Sequence, residues 1–252
     1  MKKKFIFLII LVFLVLIIGA IALFQDESLD ERSCDLGDIR VNPVSLELAK
    51  KVASNQVKII NPEFNWEHIG SISVYNIDGD QESWVFIFRK ESIKNLNSLQ
   101  DLEKHIELFS EESNSEESDK KYLFNDIATI ITGAMKEDKL IQRHFRGIPE
   151  FFAKKKEIKQ YVEENYPANT IGKPISLSSN PAGYEIIDKN SNKAIGKLIR
   201  FEGEMRVFDI SSLVSNRDTN ENIKLTKEEC EKYQNAKVNA DKANIAEWNK
   251  FE

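Results

Sequence analysis

The residues of this chain whose types could do chemistry are three histidines, two cysteines and one run of alternating carboxylates. Catalysis and metal binding require such groups to converge, and their spacing gives little sign of it. His68, His105 and His144 each stand alone in sequence, with no zinc-type spacing and no cysteine pair beside them, so each reads as a structural or surface side chain. There is no Gly-x-Ser-x-Gly elbow, no phosphate-binding glycine loop and no His-Glu-x-x-His helix. No catalytic, cofactor-binding or metal-binding residue is therefore assigned. Asp78-Gly79-Asp80-Gln81-Glu82 sets three carboxylates at alternate positions, which can offer oxygens to a hard cation. It lacks the rest of a twelve-residue calcium loop, and Asp-Gly between two apolar runs is first of all a hairpin signal.

Cys34 and Cys230 stand near the two ends of the chain that follows residue 24. In an oxidising compartment they can close one disulfide that ties those ends; the alternative is two unpaired thiols. Neither has a histidine nearby in sequence, which argues against a catalytic thiol.

The compartment follows from Phe5 to Phe24, a stretch without a charged side chain. As a helix it would run about 30 Å, the thickness of a bilayer's hydrocarbon core. Lys2, Lys3 and Lys4 precede it and Asp26, Glu27, Asp30 and Glu31 follow it. The positive-inside bias keeps the N-terminus cytoplasmic and sends everything after about residue 25 across the membrane. Ala20-Ile21-Ala22 fits a signal-peptidase site, so the segment either stays as an anchor or is removed after Ala22, leaving a secreted chain.

The whole chain has a net charge of −6, and its exported part is more acidic still because Lys2 to Lys4 stay behind. Such a surface repels phosphate backbones, and no basic stripe interleaved with aromatics appears, which excludes nucleic acid as a natural partner.

Periodicity divides the remainder. Residues 25–40 are an acidic, turn-prone linker. Ser45 starts a short helix with Leu46, Ala49, Val52 and Ala53 on one face, its pattern breaking near Asn55. Ser71 to Ile77 and Ser83 to Phe88 are strands around the Asp-Gly turn, with Trp84, Phe86 and Phe88 on one face and Val85 and Ile87 on the other, a central strand covered on both sides. Asn97 or Ser98 caps a helix carrying Leu99, Leu102, Ile106 and Phe109, which ends in the acidic low-complexity run 110–118. Ile127 to Thr132 and Leu140 to Phe145 read as a second hairpin around Met135 to Lys139. Pro149 to Tyr166 reads as a helix, stopped by Pro167. Its Phe151-Phe152 pair marks either burial under a sheet or a contact between subdomains or with a partner. Strands follow at Pro174 to Leu177, Gly183 to Asp188, Ala194 to Phe201 and Met205 to Ile210, and Thr226 to Lys250 closes the chain as a polar helix.

Leu46-Glu47-Leu48-Ala49-Lys50-Lys51-Val52-Ala53, Trp84-Val85-Phe86-Ile87-Phe88, Ile127-Ala128-Thr129-Ile130-Ile131-Thr132-Gly133-Ala134 and Leu140-Ile141-Gln142-Arg143-His144-Phe145-Arg146-Gly147-Ile148-Pro149 together make the apolar pattern of residues 44–148. That pattern resembles the PepSY and streptopain-propeptide group of exported bacterial modules. The resemblance implies a cystatin-like helix on an antiparallel sheet, and a role as a peptidase propeptide, a peptidase inhibitor or the outer domain of a membrane-anchored regulator. Only about 100 residues follow Ile148 and they hold Cys230 and no histidine, so inhibitor or regulator fits better than peptidase.

The expected fold is α+β: an N-terminal transmembrane helix, a PepSY-like helix on an antiparallel sheet, a second small antiparallel sheet and a C-terminal helix. The expected domains are the membrane segment 1–24, the linker 25–40, the α+β module 41–148 with an acidic insertion at 98–118, a helix with a small sheet over 149–215, and a helical tail 216–252. The expected function is that of a non-enzymatic, membrane-tethered, extracytoplasmic protein that binds a protein partner, with no cofactor. The alternatives are a hydrolase whose Cys230 or paired carboxylates meet only after folding, and a structural surface protein.

Overall fold

The computed structural model describes residues 32–33, 40–111, 125–177, 180–211, 224–225 and 227–252. The chain divides into two compact units, one of residues 1–37 with 221–236, the other of 38–220 with 237–252. In the smaller unit β1 (Arg32–Ser33) pairs antiparallel with β10 (Lys224–Leu225), Arg32 opposite Leu225.

The larger unit starts from α1 (Leu46–Ile60), whose N-cap Ser45 accepts a hydrogen bond from the Leu48 N–H through its side chain. Ala49, Val52, Ala53 and Val57 form its buried stripe at spacings of three and four, and Val57 carries the helix past Asn55 to Asn61. β2 (Trp66–Tyr75) and β3 (Gln81–Lys90) follow as a hairpin. Asn76 makes its turn, its side-chain oxygen accepting from the N–H groups of Asp78 and Asp80 at 3.0 and 2.8 Å, and Gly79 supplies the positive φ of 92°. α2 (Leu99–Glu111) is capped by Ser98, which accepts from the Asp101 N–H while its hydroxyl donates to the Asp101 carboxylate. β4 (Ile127–Gly133) and β5 (Ile141–Arg146) form the second hairpin.

The helix expected over 149–166 is two helices, α3 (Glu150–Ala153) and α4 (Lys155–Asn165), separated where Lys154 leaves helical geometry at φ −96°, ψ 6°. β6 (Asn169–Leu177), β7 (Asn180–Asp188), β8 (Ala194–Phe201) and β9 (Met205–Asp209) then run as an antiparallel meander, and α5 (Lys227–Asn249) ends the chain.

Two features of the expected architecture are corrected. The strands expected to form two separate sheets instead make one of eight, in the order β5-β4-β3-β2-β6-β7-β8-β9. The first strands of the two meanders join in parallel, Tyr75 opposite Ile175, and every other pairing is antiparallel. A free β2 edge would leave its outer N–H and C=O groups unpaired, and β6 pairs with its end at Tyr75. Nor does a transmembrane helix appear: among the described residues no helix is long and apolar enough to cross a membrane. Phe5 to Phe24, with Ala20 and Ala22, lies outside the described residues, as do the acidic run 112–118 and Cys34.

The sheet has a core on each face. Phe86 and Phe88 of β3 and Ala128 and Ile130 of β4 pack under α1, joined there by Trp248 of α5. On the opposite face Val85, Ile87, Ile127 and Ile131 pack with Leu102 of α2, Phe151 and Phe152 of α3, Ile158 and Val162 of α4, and Tyr184, Ile186 and Ile199 of the second meander. Both halves of the sheet are thus a helix followed by a four-stranded meander. Their first strands run parallel and α1 and α4 lie on opposite faces, so an approximate twofold along the β2–β6 junction relates them; α2 is an insertion between β3 and β4 of the first half.

Candidate functional site

The three histidines are carried by different elements: His68 by β2, His105 by α2 and His144 by β5. Among the described residues no group of three or more His, Cys, Asp or Glu side chains could hold a metal ion. His68 is half-buried between the rings of Phe86 and Phe88, at centroid distances of 5.8 and 5.5 Å, and its Nε2 is buried without a hydrogen-bond partner. Burial pushes its pKa below the ordinary imidazole value, and the charge of Lys50 on α1 pushes the same way. Asp78 and Asp80 sit in the Asn76 hairpin turn, which accounts for their spacing by backbone geometry alone. Cys230 is disulfide-bonded, and the chain holds one other cysteine, Cys34.

The aromatic strand is core. Val85, Phe86, Ile87 and Phe88 are at most 1% exposed, which places β3 inside the sheet with both faces covered. Phe151 and Phe152 are buried too, and the Phe151 ring lies 6.0 Å from that of Tyr184, so this pair fastens α3 to the second meander. Burial raises the Tyr184 pKa, and the charge of Glu103 adds to the effect, keeping the phenol neutral at physiological pH.

Among the described residues, two surface grooves are places where a ligand could lodge. One, about 350 Å³, lies between α2 and the α3–α4 pair, lined by Ile106, Phe152 and Ala153 and crossed by the ion pairs Lys155–Glu103 at 2.6 Å and Lys156–Glu107 at 3.5 Å. Two ion pairs bridge the gap, with Lys159 also on its lining, so it resembles a clasp holding α2 down.

The second groove, about 330 Å³, is built around β5, a terminal strand of the sheet. Thr129 and Ile131 of β4 stand opposite Phe145 and Arg143, and cross-strand partners share a face. Arg143 and Phe145 therefore point to the side where the chain turns back through Gly147, Ile148 and Pro149 into α3. Gly147, at φ 108°, makes that turn, and its N–H donates to Ile127 while its carbonyl accepts from the Thr129 hydroxyl at 2.7 Å. The result is a trough floored by Ile131, Phe145, Ile148, Pro149 and Phe151, with Arg143 and Glu150 at its rim. The Arg143 guanidinium lies 5.8 Å from the Phe145 ring centroid. On the other face Arg146 is held by Asn61 at 2.8 Å and Glu63 at 2.6 Å. Sequence reading placed β5 but missed this trough, which exists only because Ile148-Pro149 and α3 fold back along the strand.

Among the described residues, four carboxylates have displaced pKa values, all downward. Glu63, with its own backbone N–H and Arg146, Asp101, with Ser98 and the Asn97 N–H, and Asp188, with the N–H and hydroxyl of Ser191, are all held below the usual carboxylate range. At Glu137 burial works upward, but the Asn42 amide and backbone N–H groups outweigh it. This chain matches none of the protein families, curated proteins or solved structures with which it was compared.

Proposed function

We propose that this chain is an extracytoplasmic binding protein, inserted in the membrane through Phe5 to Phe24, whose sheet-based body engages another protein. The observation that carries the location is the disulfide at Cys230, a bond that persists in oxidising compartments and agrees with the direction of export read from Lys2 to Lys4 and the acidic residues after the apolar segment. We take its partner to be Cys34: β1 ends next to it, and the β1–β10 pairing brings that end close to the start of α5. A role as peptidase inhibitor or envelope regulator draws on the PepSY resemblance. In its support, α1 packs on β2, β3 and β4 of the antiparallel strands within residues 44–148, although those strands are part of a longer sheet.

The hydrolase alternative asks for a free thiol at Cys230 or a carboxyl with a raised pKa. Cys230 is oxidised, and among the described residues the carboxylates with displaced pKa values are displaced downward, opposite to what a general acid needs.

Crosslinking of membranes that carry the tagged full-length chain, followed by affinity purification, tests the reading. Reproducible recovery of one partner supports it, and recovery of none overturns it. N-terminal sequencing of the membrane and soluble fractions tells an anchor from a chain cut after Ala22.

A further inference from the structure

We infer that residues 237–252 are a detachable latch: they occupy a socket on the α1 face of the sheet which, once they leave it, receives a helical segment of the partner protein carrying the same anchoring groups. The inference rests on the binding reading and names its surface and its control. The larger unit is continuous from Asp38 to Asn220, the chain then passes to the smaller unit, and Lys237–Glu252 returns to the larger one. No strand pairing of the sheet involves these residues, so their departure breaks no ladder. What holds them is narrow. Of residues 237–252 Trp248 alone is buried, and Val238 is exposed. A helix without an apolar stripe is not held along its length by packing, so the attachment is concentrated around one side chain. The Trp248 indole N–H donates to the Asp138 carbonyl at 3.2 Å and the Asn244 amide to the Glu137 carbonyl at 2.7 Å. Lys136 Nζ donates to the Asn249 side chain at 3.1 Å and pairs with the Glu252 carboxylate, and Lys51 of α1 donates to the Phe251 carbonyl.

The socket is held together by other contacts. Its polar wall is the turn between β4 and β5, which the segment ahead of α1 fixes: the Lys136 N–H donates to the Asn42 carbonyl and the Val44 N–H to the Ala134 carbonyl, both at 2.8 Å, and the Asn42 amide donates to the Glu137 carboxylate at 2.6 Å. Its apolar wall is α1, fastened to Phe86, Phe88, Ala128 and Ile130 through its own stripe from Ala49 to Val57. An apolar site with a few placed polar groups, built without its occupant, has the make-up of a binding site, and a helix laid into such a groove is a recurring mode of recognition. The occupant in cis states what the socket selects: a large aromatic ring with an N–H to donate, a side-chain amide one turn before it, and a carboxylate after it for Lys136. Latch and partner segment compete, so the fraction of molecules with the latch out sets the partner's apparent affinity.

Full-length protein in detergent micelles is to be mixed with a fluorescent peptide of residues 240–252, with amide hydrogen exchange followed in parallel. In the wild type the amides of residues 243–249 are expected to exchange through an opening of their own, about tenfold or more faster than those of β3 and β4. Trp248→Ala, and Ala246→Pro, which breaks the helix at an exposed position and leaves the socket intact, are each expected to tighten peptide binding about tenfold or more by emptying the socket. The peptide carrying Trp248→Ala is expected not to bind, and Lys136→Glu added to Ala246→Pro to weaken the intact peptide about two- to fivefold. Exchange at 243–249 no faster than in β3 and β4, equal affinity of wild type and both variants, or equal binding of the two peptides overturns the inference. So does a concentration-dependent wild-type dimer that the peptide dissociates, which would make a second copy the occupant. In partner capture from crosslinked membranes, Ala246→Pro is expected to recover more of the partner than wild type. Equal recovery overturns the latch and leaves the binding reading standing. Recovery of none by either overturns the binding reading, and the peptide measurement then decides the latch by itself.

Discussion

At the residue scale, the histidine with a resolved electrostatic environment is a stability element. His68 has its Nε2 buried without a partner between two phenylalanine rings, and its pKa lies below the ordinary 6.5 because burial opposes the charged form, with Lys50 adding to the effect. The Gly70 backbone and the charge of Glu47 oppose the shift without cancelling it. A group that binds protons more weakly when folded makes the unfolded chain the better proton acceptor, so stability falls as pH drops below about 6.5 and stops falling once the folded imidazole is itself protonated. The urea midpoint is expected to drop between about pH 7.5 and about pH 5.5, and His68→Leu to flatten that dependence. An unchanged slope in the variant would remove His68 as its source. Trp248 gives a second residue-level outcome. It is fully buried in the core under α1, and its indole N–H donates to the Asp138 carbonyl at 3.2 Å. Trp248→Ala is expected to cost about 3–5 kcal/mol, read from denaturant unfolding followed by circular dichroism.

At the element scale, the two cores are held by close approaches that side-chain periodicity alone does not reveal. β2 has a register shift between His68 and Gly70, and a Cβ built on Gly70 would come within 2.3 Å of Leu99 Cγ. The missing side chain is what lets the first turn of α2 lie on the strand. Gly70→Ala is expected to destabilise by about 1–3 kcal/mol through overpacking, and Leu99→Ala in the same chain to recover part of that loss. Additive losses in the double variant would show that the two residues do not meet. The placement of α2 also depends on Arg89, which is 6% exposed and ion-paired with Glu67, and which donates to the Lys90 and Glu91 carbonyls and to Asn97 at 3.2 Å each. It thereby fixes the loop from which Ser98 caps the helix.

At the scale of the whole molecule, the decisive feature is the parallel junction of β2 and β6. It turns two four-stranded meanders into one sheet, with α3 fastened to the far half through Phe151 and Tyr184. Trp66, Trp84 and Trp248 are the chain's three tryptophans, and all pack with the core under α1 in the first half. Ile175 lies in the second half, 3% exposed, at the junction. If the halves fold as one cooperative sheet, burying a charge through Ile175→Asp lowers the tryptophan fluorescence transition and the circular dichroism transition together. A fluorescence transition left at its wild-type midpoint would mean two independently folding domains. Reduction of the Cys230 disulfide is expected to speed amide exchange at Arg32–Ser33 and Lys224–Leu225, because that two-residue ladder is too short to hold without a covalent tie, while exchange in β3 and β4 stays slow.

Much of the local structure was legible in the sequence because it rests on short-range physics. The Asp78-Gly79 turn, the Ser98 cap, the two-faced alternation of β3 and the polar C-terminal helix follow from turn chemistry, capping and periodicity, each confined to a few neighbouring residues. The charge bias around Phe5 to Phe24 and the scarcity of convergent chemistry are likewise properties of the chain itself. What the tertiary structure alone decided is how the strands' free edges are used. Alternation says which face of a strand is buried and nothing about which edge it offers to which neighbour, so β2 and β6 read as members of separate sheets until Tyr75 and Ile175 are brought together. The same physics hid the trough beside β5. Its walls come from β4, β5 and the start of α3, and only the turn at Gly147 lays them along a single edge.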